Sequence, residues 1–408
     1  MDFTALEQPF TDGGIRTVNF FNGRLLTGAD LSREQAARRE ADARLGAAMG
    51  DGIASGLMVR FAGNIAPGGR PAASVSPGLA ISRRGSVLQL DRQITLALDR
   101  AAPAGENARE CLFGDCKPLA TGDYVGGAGL YLLSIAPAFT AEGRAQVSGM
   151  SDTPGRCATD ATVEGVQFRL IEIRPELHGV SLIAANARNR LAYRCFGLGV
   201  RPSWPADLAG SDPRGDDLMD TLLGRGLLTD SEVPLALLAF SGGTGHIFTD
   251  AHAVRRPVAP RGDPLVLADL VDHRRPGVGE AMFRQFADHI TAPGVLRGKA
   301  KDQFDFLPAA GLIPELDTEL VGKFFAGMEL RGPLHIDASA VEPLIRESLS
   351  APAIDTSSNH VVWFYRIAQN RMAGKTPLAL FASGHLPYRG DARWNLGHFN
   401  FANYALNP

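Results

Sequence analysis

The chain has few cysteines, and their spacing does not match a common metal site. The four are Cys111, Cys116, Cys157 and Cys195. Thiolate ligands of structural zinc usually come in closely spaced pairs, and only Cys111 and Cys116 lie near each other. We predict buried free thiols at Cys157 and Cys195. We expect free thiols at Cys111 and Cys116 on synthesis, with a local disulfide as the alternative if the protein enters an oxidising compartment.

Neither sign of charge is in large excess along the chain. There are 41 basic and 44 acidic residues, and the formal net charge is −3 at pH 7. The arginines are scattered among acidic residues, and pairs such as Arg255-Arg256 are too short to make a basic patch. Domains that bind nucleic acid usually concentrate positive charge on one face. We therefore predict no nucleic-acid partner.

Long hydrophobic runs are also missing. No stretch approaches the roughly 20 apolar residues that a membrane-spanning helix requires. The first residues, Met1 to Glu7, lack the basic and apolar regions of a signal peptide. We predict synthesis in the cytoplasm without a signal peptide, and no membrane insertion.

Common signatures of catalysis are absent from the sequence. It contains no HExxH zinc motif, no GxSxG nucleophile elbow and no phosphate-binding GxxxxGK[ST] loop. The glycine-rich stretch at residues 242–245 lacks the lysine and the following helix of such a loop, so we predict a hairpin turn there. Asp216, Asp217 and Asp220 are predicted to be charges at a helix N-terminus. We predict no catalytic residues and no cofactor.

One group of residues keeps a metal site as an alternative. His246, Asp250 and His252 would project from one face if all three lay in a strand. Two imidazoles and a carboxylate could then bind a metal ion. We predict no bound metal and retain this group as the best enzymatic constellation in the chain.

Turn-forming residues are plentiful, and short apolar alternations lie between them. The chain has 46 glycines and 26 prolines, which indicates many turns and irregular connections. Apolar residues alternate with period two between residues 79 and 98. Three further runs are predicted strands: Leu130 to Ile135, Val166 to Ile173, and Val233 to Phe240. These patterns predict an α+β, β-rich fold.

We divide the chain into four units. Residues 1–100 form an N-terminal assembly unit with an arm, a helix and β hairpins. Residues 101–262 form a middle antiparallel β domain with long loops, and residues 263–294 form a helical hairpin broken at Pro276-Gly277. Residues 295–408 form a small C-terminal α+β domain with an aromatic tail.

The N-terminal unit contains a well-marked helix start. Thr27 and Asp30 have the spacing of a capping box, so the helix is predicted from about Thr27 to Gly50. Pairs of opposite charge four residues apart favour an exposed helix. A thin apolar stripe interrupts this polar surface. Its residues are Leu31, Ala41, Leu45 and Ala48. The stripe predicts either a helix resting on its own domain or a contact between subunits.

The order of motifs along the chain resembles a known family. An aromatic-rich segment, Phe20 to Gln35, leads into the helix, and a Gly-Leu strand at Gly52 to Val59 follows it. A Pro-Gly hairpin then occupies Val75 to Leu90, and Phe248 to Arg256 fits the same order. This order is similar to that of phage-tail-like structural proteins associated with extracellular contractile injection systems. The helix departs from the family pattern at Ala36 and Ala37, where an aromatic residue is expected.

The resemblance implies a non-enzymatic structural subunit. Its expected position is the baseplate of the particle, or the peripheral fibres or cage. Expected partners are further copies of itself, as a trimer or sixfold ring, and other tail or baseplate subunits. It also implies assembly into a particle that is either released from the cell or stays attached inside it. The expected interface residues are Phe20, Phe21, Leu25, Leu26, Leu31 and Leu45.

A receptor-binding module, in the manner of a tail fibre, is the alternative function. Aromatic faces suit sugar rings, so such a module would contact a surface glycan or protein through exposed aromatic residues. The candidate contacts are Trp204, Trp394, Phe399 and Tyr404. A metal-dependent hydrolase is the third reading, and the missing motifs disfavour it.

Overall fold

Most residues of the chain are described by the computed structural model. Of them, 28% are helical and 37% lie in strands, arranged in several antiparallel sheets. This composition confirms the predicted β-rich α+β class. The described stretches are 11–66, 69–98, 125, 127–143, 145–146, 157–198, 217–242, 245–260, 275–314, 316–358, 360–368 and 377–389.

The N-terminal part consists of one long helix followed by six short strands. Helix α1 spans Gly28–Met49, close to its predicted bounds. The strands form two three-stranded antiparallel sheets, in the orders β1-β4-β5 and β2-β3-β6. Gly85, in the turn between β4 and β5, has φ +81°, a conformation that favours glycine. The strands are β1 (Gly52–Gly56), β2 (Val59–Ala66), β3 (Arg70–Val75), β4 (Gly78–Ile81), β5 (Val87–Leu90) and β6 (Ile94–Ala97).

The middle part is built on a four-stranded antiparallel sheet in the order β10-β7-β11-β12. Its strands include all three predicted runs, and Leu132 of β7 pairs with Leu237 on one side and Ile171 on the other. The strands are β7 (Ala128–Glu142), β10 (Ala161–Ile173), β11 (Val233–Ser241) and β12 (His246–Asp250). Two short strands, β8 (Ala145–Gln146) and β9 (Cys157–Ala158), pair beyond the β7–β10 ribbon.

Three short helices lie between β10 and β11. They are α2 (Pro175–His178), α3 (Ala187–Cys195) and α4 (Leu218–Gly224). Asp217 caps α4, because its carboxylate accepts a hydrogen bond of 2.7 Å from the Asp220 amide. This confirms the predicted helix and the predicted placement of Asp217 at its N-terminus.

The C-terminal part contains a second four-stranded sheet, in the order β14-β18-β17-β15. Strands β15 and β17 are parallel, and helix α8 connects them, as a parallel pair requires. The elements are α5 (Arg275–His289), a 3-10 turn (Val295–Arg297), α6 (Ala300–Gln303), β13 (Phe306–Leu307), β14 (Ala310–Pro314), α7 (Thr318–Phe324), β15 (Glu329–Asp337), α8 (Ala338–Ser348), β16 (Ile354–Asp355), β17 (Val361–Ala368) and β18 (Leu378–Ser383). Helix α8 begins directly after Asp337.

Buried side chains connect the units that the sequence suggests. Val75 and Leu88 of the N-terminal sheets share one core with Leu133 and Phe240 of the middle sheet. A second core joins the middle sheet to Met282 of α5. Pro276 and Gly277 lie in the first turn of α5, where proline is tolerated, and residues 261–274 lie outside the described residues. The division into four units stays a prediction.

Candidate functional site

The start of α1 is held by a complete capping box. The Asp30 amide donates to the Thr27 hydroxyl at 3.2 Å, and the Asp30 carboxylate accepts from the Thr27 amide at 3.1 Å. Arg24 forms an ion pair of 2.7 Å with the same carboxylate. Hydrogen bonds from Thr27, followed by the one from Arg24, lower the pKa of Asp30 to about 2. The box therefore joins the arm to the helix through a carboxylate that stays ionised across the physiological range.

The arm before the helix folds back along α1. The Arg44 guanidinium donates to the Gly13 carbonyl at 2.6 Å, and the Val18 amide donates to the Glu34 carboxylate at 3.1 Å. These two contacts and the Arg24–Asp30 pair place successive arm residues beside successively earlier turns of the helix. Arm and helix therefore run antiparallel and form a single hairpin-like unit.

This unit exposes a concentration of large hydrophobic residues among its charged ones. All six predicted interface residues are exposed, with accessible fractions from 49% for Leu26 to 86% for Leu25. Met49, four residues after Leu45, is exposed as well. Half of the large hydrophobic residues that are exposed in the described chain lie between residues 20 and 49. Single exposed hydrophobic residues are ordinary, but such a concentration is typical of interaction surfaces and makes this one the candidate site. We call it the arm–helix surface: Phe20, Phe21, Leu25, Leu26, Leu31, Leu45 and Met49.

Helix α1 contacts its own domain over a small area. Its buried residues are Asp30, Ala37 and Gly46. A Cβ atom on Gly46 would lie 2.1 Å from the carbonyl oxygen of Gly85, so the helix backbone rests directly on the β4–β5 turn. The domain contact thus uses glycine, while Leu31 and Leu45 of the predicted stripe remain exposed. Met49 was not among the predicted interface residues. Its position four residues after Leu45 on a helix nevertheless indicates that both lie on the same face.

The other predicted sites have different outcomes. Cys195 is a buried free thiol, as predicted, and burial raises its pKa well above the usual range. For Cys157 only the backbone is described, in β9. The predicted receptor contacts and the two closely spaced cysteines lie outside the described residues. They are Trp204, Trp394, Phe399, Tyr404, Cys111 and Cys116.

The expectation that His246, Asp250 and His252 share one face is wrong. The register of β11 and β12 shifts next to His246, which reverses the alternation of side chains along β12. The His246 ring stacks on Phe61, with ring centroids 3.9 Å apart, on the side of the N-terminal sheets. Asp250 points instead towards α3 and α5, and His252 lies in the turn beyond the strand. In the described part of the chain, no three His, Cys, Asp or Glu residues are grouped to hold a metal ion.

Asp250 instead organises a buried polar network that the sequence analysis missed. Its carboxylate accepts hydrogen bonds from the Arg188 guanidinium at 2.8 Å, the Ala253 amide at 2.9 Å and the Gln285 amide at 3.1 Å. Burial would raise the pKa of Asp250, but Arg188 and these hydrogen bonds together hold it below its usual value. Asp250 is therefore a structural anion that joins β12 to α3 and α5. No local sequence signal could reveal partners so distant along the chain.

The described helices include none that is both long enough and apolar enough to cross a bilayer. Helix α1 has the required length, but charged residues occupy most of its turns.

Comparison with known proteins gives little further information. No protein-family profile matches the chain, and no curated protein matches it. One solved structure, described as "Crystal structure of TssK", aligns with a TM-score of 0.23 and 10% sequence identity, over 92% of this chain and 93% of that chain. A TM-score this low does not indicate a shared fold, so we draw no functional conclusion from it.

Proposed function

We propose that this protein is a non-enzymatic structural subunit of a phage-tail-like contractile injection particle, which assembles by docking through its arm–helix surface. The position at the baseplate, or at its fibres or cage, comes from the motif resemblance alone. The observation that carries the docking role is the exposure of Phe20, Phe21, Leu25, Leu26, Leu31, Leu45 and Met49 on one contiguous segment. Further copies of the chain and other tail subunits are the proposed partners.

The construction of the arm–helix surface favours tight association. Ordering a free arm on binding would cost conformational entropy, whereas this arm is already bound to α1 at Gly13, Val18 and Arg24. Burying one Phe or Leu side chain contributes about 1.5–3 kcal/mol. Burial of most of the seven residues by a partner would therefore contribute free energy of the same order as the roughly 4–15 kcal/mol that association costs.

The experiment compares the double variant Phe20→Ala/Phe21→Ala with the wild type by light scattering and negative-stain electron microscopy. Both side chains are exposed and make no core contact, so the variant should keep the wild-type melting temperature. Loss of two aromatic anchors should weaken self-association or particle incorporation about hundredfold. The matched control is Ile65→Ala/Ile183→Ala, which removes two hydrophobic residues outside the surface that are more exposed than Phe20 and Phe21.

Normal assembly by the Phe20→Ala/Phe21→Ala variant would contradict the docking role. Equal loss of assembly in the Ile65→Ala/Ile183→Ala control would show that hydrophobicity in general, rather than this surface, drives association.

A further inference from the structure

A polar cleft lies away from the arm–helix surface, between the helices of the middle part and the C-terminal part. Its volume is about 820 Å³, within the range of small-molecule sites. Unlike most such sites, its wall is rich in charged and hydroxyl-bearing side chains. The residues that matter here are Arg190, Tyr193, Arg194, Lys301, Asp305 and Asp355.

The cations of the cleft are not all neutralised. Arg190 forms an ion pair of 2.7 Å with Asp305. Arg194 donates only to backbone carbonyls, those of Leu177 and His178. Among the described residues, neither Arg194 nor Lys301 forms an ion pair with a carboxylate. The Arg194 guanidinium and the Lys301 ammonium are exposed at the cleft, where an anionic ligand can reach them.

The Lys301 ammonium lies close to Gly327 at the edge of the cleft. A Cβ atom on Gly327 would lie 2.8 Å from the Lys301 ammonium nitrogen. Gly327 also has φ +91°, a conformation that favours glycine. Both residues line the cleft.

The remaining wall offers hydrogen-bonding groups of both kinds. The Asp355 carboxylate accepts from the Ser357 amide at 2.8 Å and the Ser357 hydroxyl at 2.7 Å, and no cation pairs with it in the described chain. Burial, followed by Asp355 and Asp305, raises the pKa of Tyr193. Its phenol therefore keeps its proton and can donate a hydrogen bond to a ligand. The hydroxyls of Thr221 and Ser357 also line the cleft. A ligand with hydroxyl groups can therefore donate to Asp355 and accept from Tyr193.

We propose that this cleft binds a small hydroxylated anion, either a sugar phosphate or a sugar acid. Its anionic group lies at Arg194 and Lys301, and its hydroxyl groups bond to Asp355 and Tyr193. A phosphate or carboxylate can form charge-assisted hydrogen bonds with the two cations, and the Asp355 carboxylate nearby accepts hydrogen bonds from hydroxyl groups. The inference is independent of the proposed assembly function, because none of these residues belongs to the arm–helix surface.

Isothermal titration calorimetry on the full chain at low salt tests the cleft with four probes: glucose 6-phosphate, glucuronate, inorganic phosphate and glucose. We expect at least one of the first two to bind, and to bind at least about tenfold more tightly than phosphate or glucose. Binding of glucose 6-phosphate alone identifies the phosphate form of the ligand. Binding of glucuronate alone identifies the carboxylate form.

Two variants attribute the binding to the cleft. Lys301→Gln should weaken the anion at least about tenfold, because it removes a charge-assisted hydrogen bond. Lys299→Gln is the matched control, since Lys299 is exposed two residues away and does not line the cleft. Asp355→Asn should reduce the preference for the hydroxylated anion over inorganic phosphate. Thermal melting of each variant checks that the fold is intact.

Three results would overturn the proposal. The first is absence of binding by both hydroxylated anions at about 10 mM. The second is equal affinity for inorganic phosphate, which would indicate a site for any anion. The third is equal weakening by Lys299→Gln and Lys301→Gln, which would indicate a diffuse effect of charge.

Discussion

At the scale of single residues, burial and hydrogen bonding determine which charged side chains have structural roles. Asp30 and Asp250 are both ionised, but Asp30 caps an exposed helix, whereas Asp250 lies in the interior beside Arg188. His289 lies in the same interior region, packed on Phe304 with ring centroids 4.8 Å apart. Its Nδ1 atom is buried and has no hydrogen-bond partner among the described residues. This histidine is consequently tolerated only in its neutral form.

We predict that His289 makes the protein sensitive to mild acid. Burial, with a further contribution from Arg188, lowers the pKa of His289 to about 4, whereas an unfolded histidine titrates near 6.5. Between these values the unfolded chain binds a proton that the folded chain does not, so stability falls as the pH drops from about 6.5 to about 4. The loss approaches about 3 kcal/mol, at about 1.4 kcal/mol per pKa unit.

Chemical denaturation from pH 7 to pH 4 measures this effect. His289→Gln should flatten the pH dependence in that interval, whatever its stability at pH 7. His335→Gln, at an exposed position on β15, should leave the slope as in the wild type. An unchanged slope in His289→Gln would show that other groups control the acid sensitivity.

At the scale of elements, α1 is a helix whose three sides have different environments. One side rests on the β4–β5 turn through Gly46, and the arm lies along another. The remaining side carries Leu31, Leu45 and Met49 into solvent. Because a glycine contact buries little apolar area, most of the helix surface stays available to a partner.

We predict that Gly46→Ala detaches α1 from the β4–β5 turn. The added Cβ atom would meet the backbone of Gly85, which cannot move away as a flexible side chain could. Overpacking of this kind costs about 1–3 kcal/mol. Hydrogen exchange of the α1 amides should accelerate in this variant. Gly28→Ala is the matched control on the same helix, because a Cβ atom there meets no other atom within 4 Å.

Faster exchange in Gly28→Ala as well would mean that the helix, rather than its contact with the turn, had been disturbed. Unchanged exchange in Gly46→Ala would show that the arm contacts alone hold α1 in place.

At the scale of the whole molecule, the arm–helix surface is separate from the continuous interior. The cores join the N-terminal sheets to the middle sheet, and the middle sheet to α5 and the C-terminal part. Ala37 is the one residue of α1 among the buried hydrophobic residues, and it belongs to none of these cores. Arm and helix can therefore be removed with little loss of core packing.

We predict that a chain lacking residues 1–50 stays folded but no longer assembles. Its core side chains are retained, so near-UV circular dichroism and the melting temperature should change little. Light scattering should report a monomer, where the full chain forms a symmetric oligomer or filament. A compact monomer at both lengths would remove the support for docking, and unfolding of the shortened chain would show that α1 is required for the fold.

Local features of the sequence account for much of the secondary structure. The spacing of Thr27 and Asp30 identified the start of α1, because capping involves only neighbouring residues. Period-two alternation identified the strands of the middle sheet, and Asp217 marked the start of α4. The predicted interface residues of α1 and the arm are exposed, but their role in assembly stays a prediction.

Tertiary structure determined the features that depend on contacts between distant parts of the sequence. The register shift beside His246 separates it from Asp250, and the partners of Asp250 come from helices distant in the sequence. The fold of the arm along α1 depends on contacts such as Arg44 with Gly13, and Arg194 and Lys301, distant in the sequence, line the same cleft. Capping and alternation are properties of a few adjacent residues, whereas sites and buried networks depend on how distant segments pack.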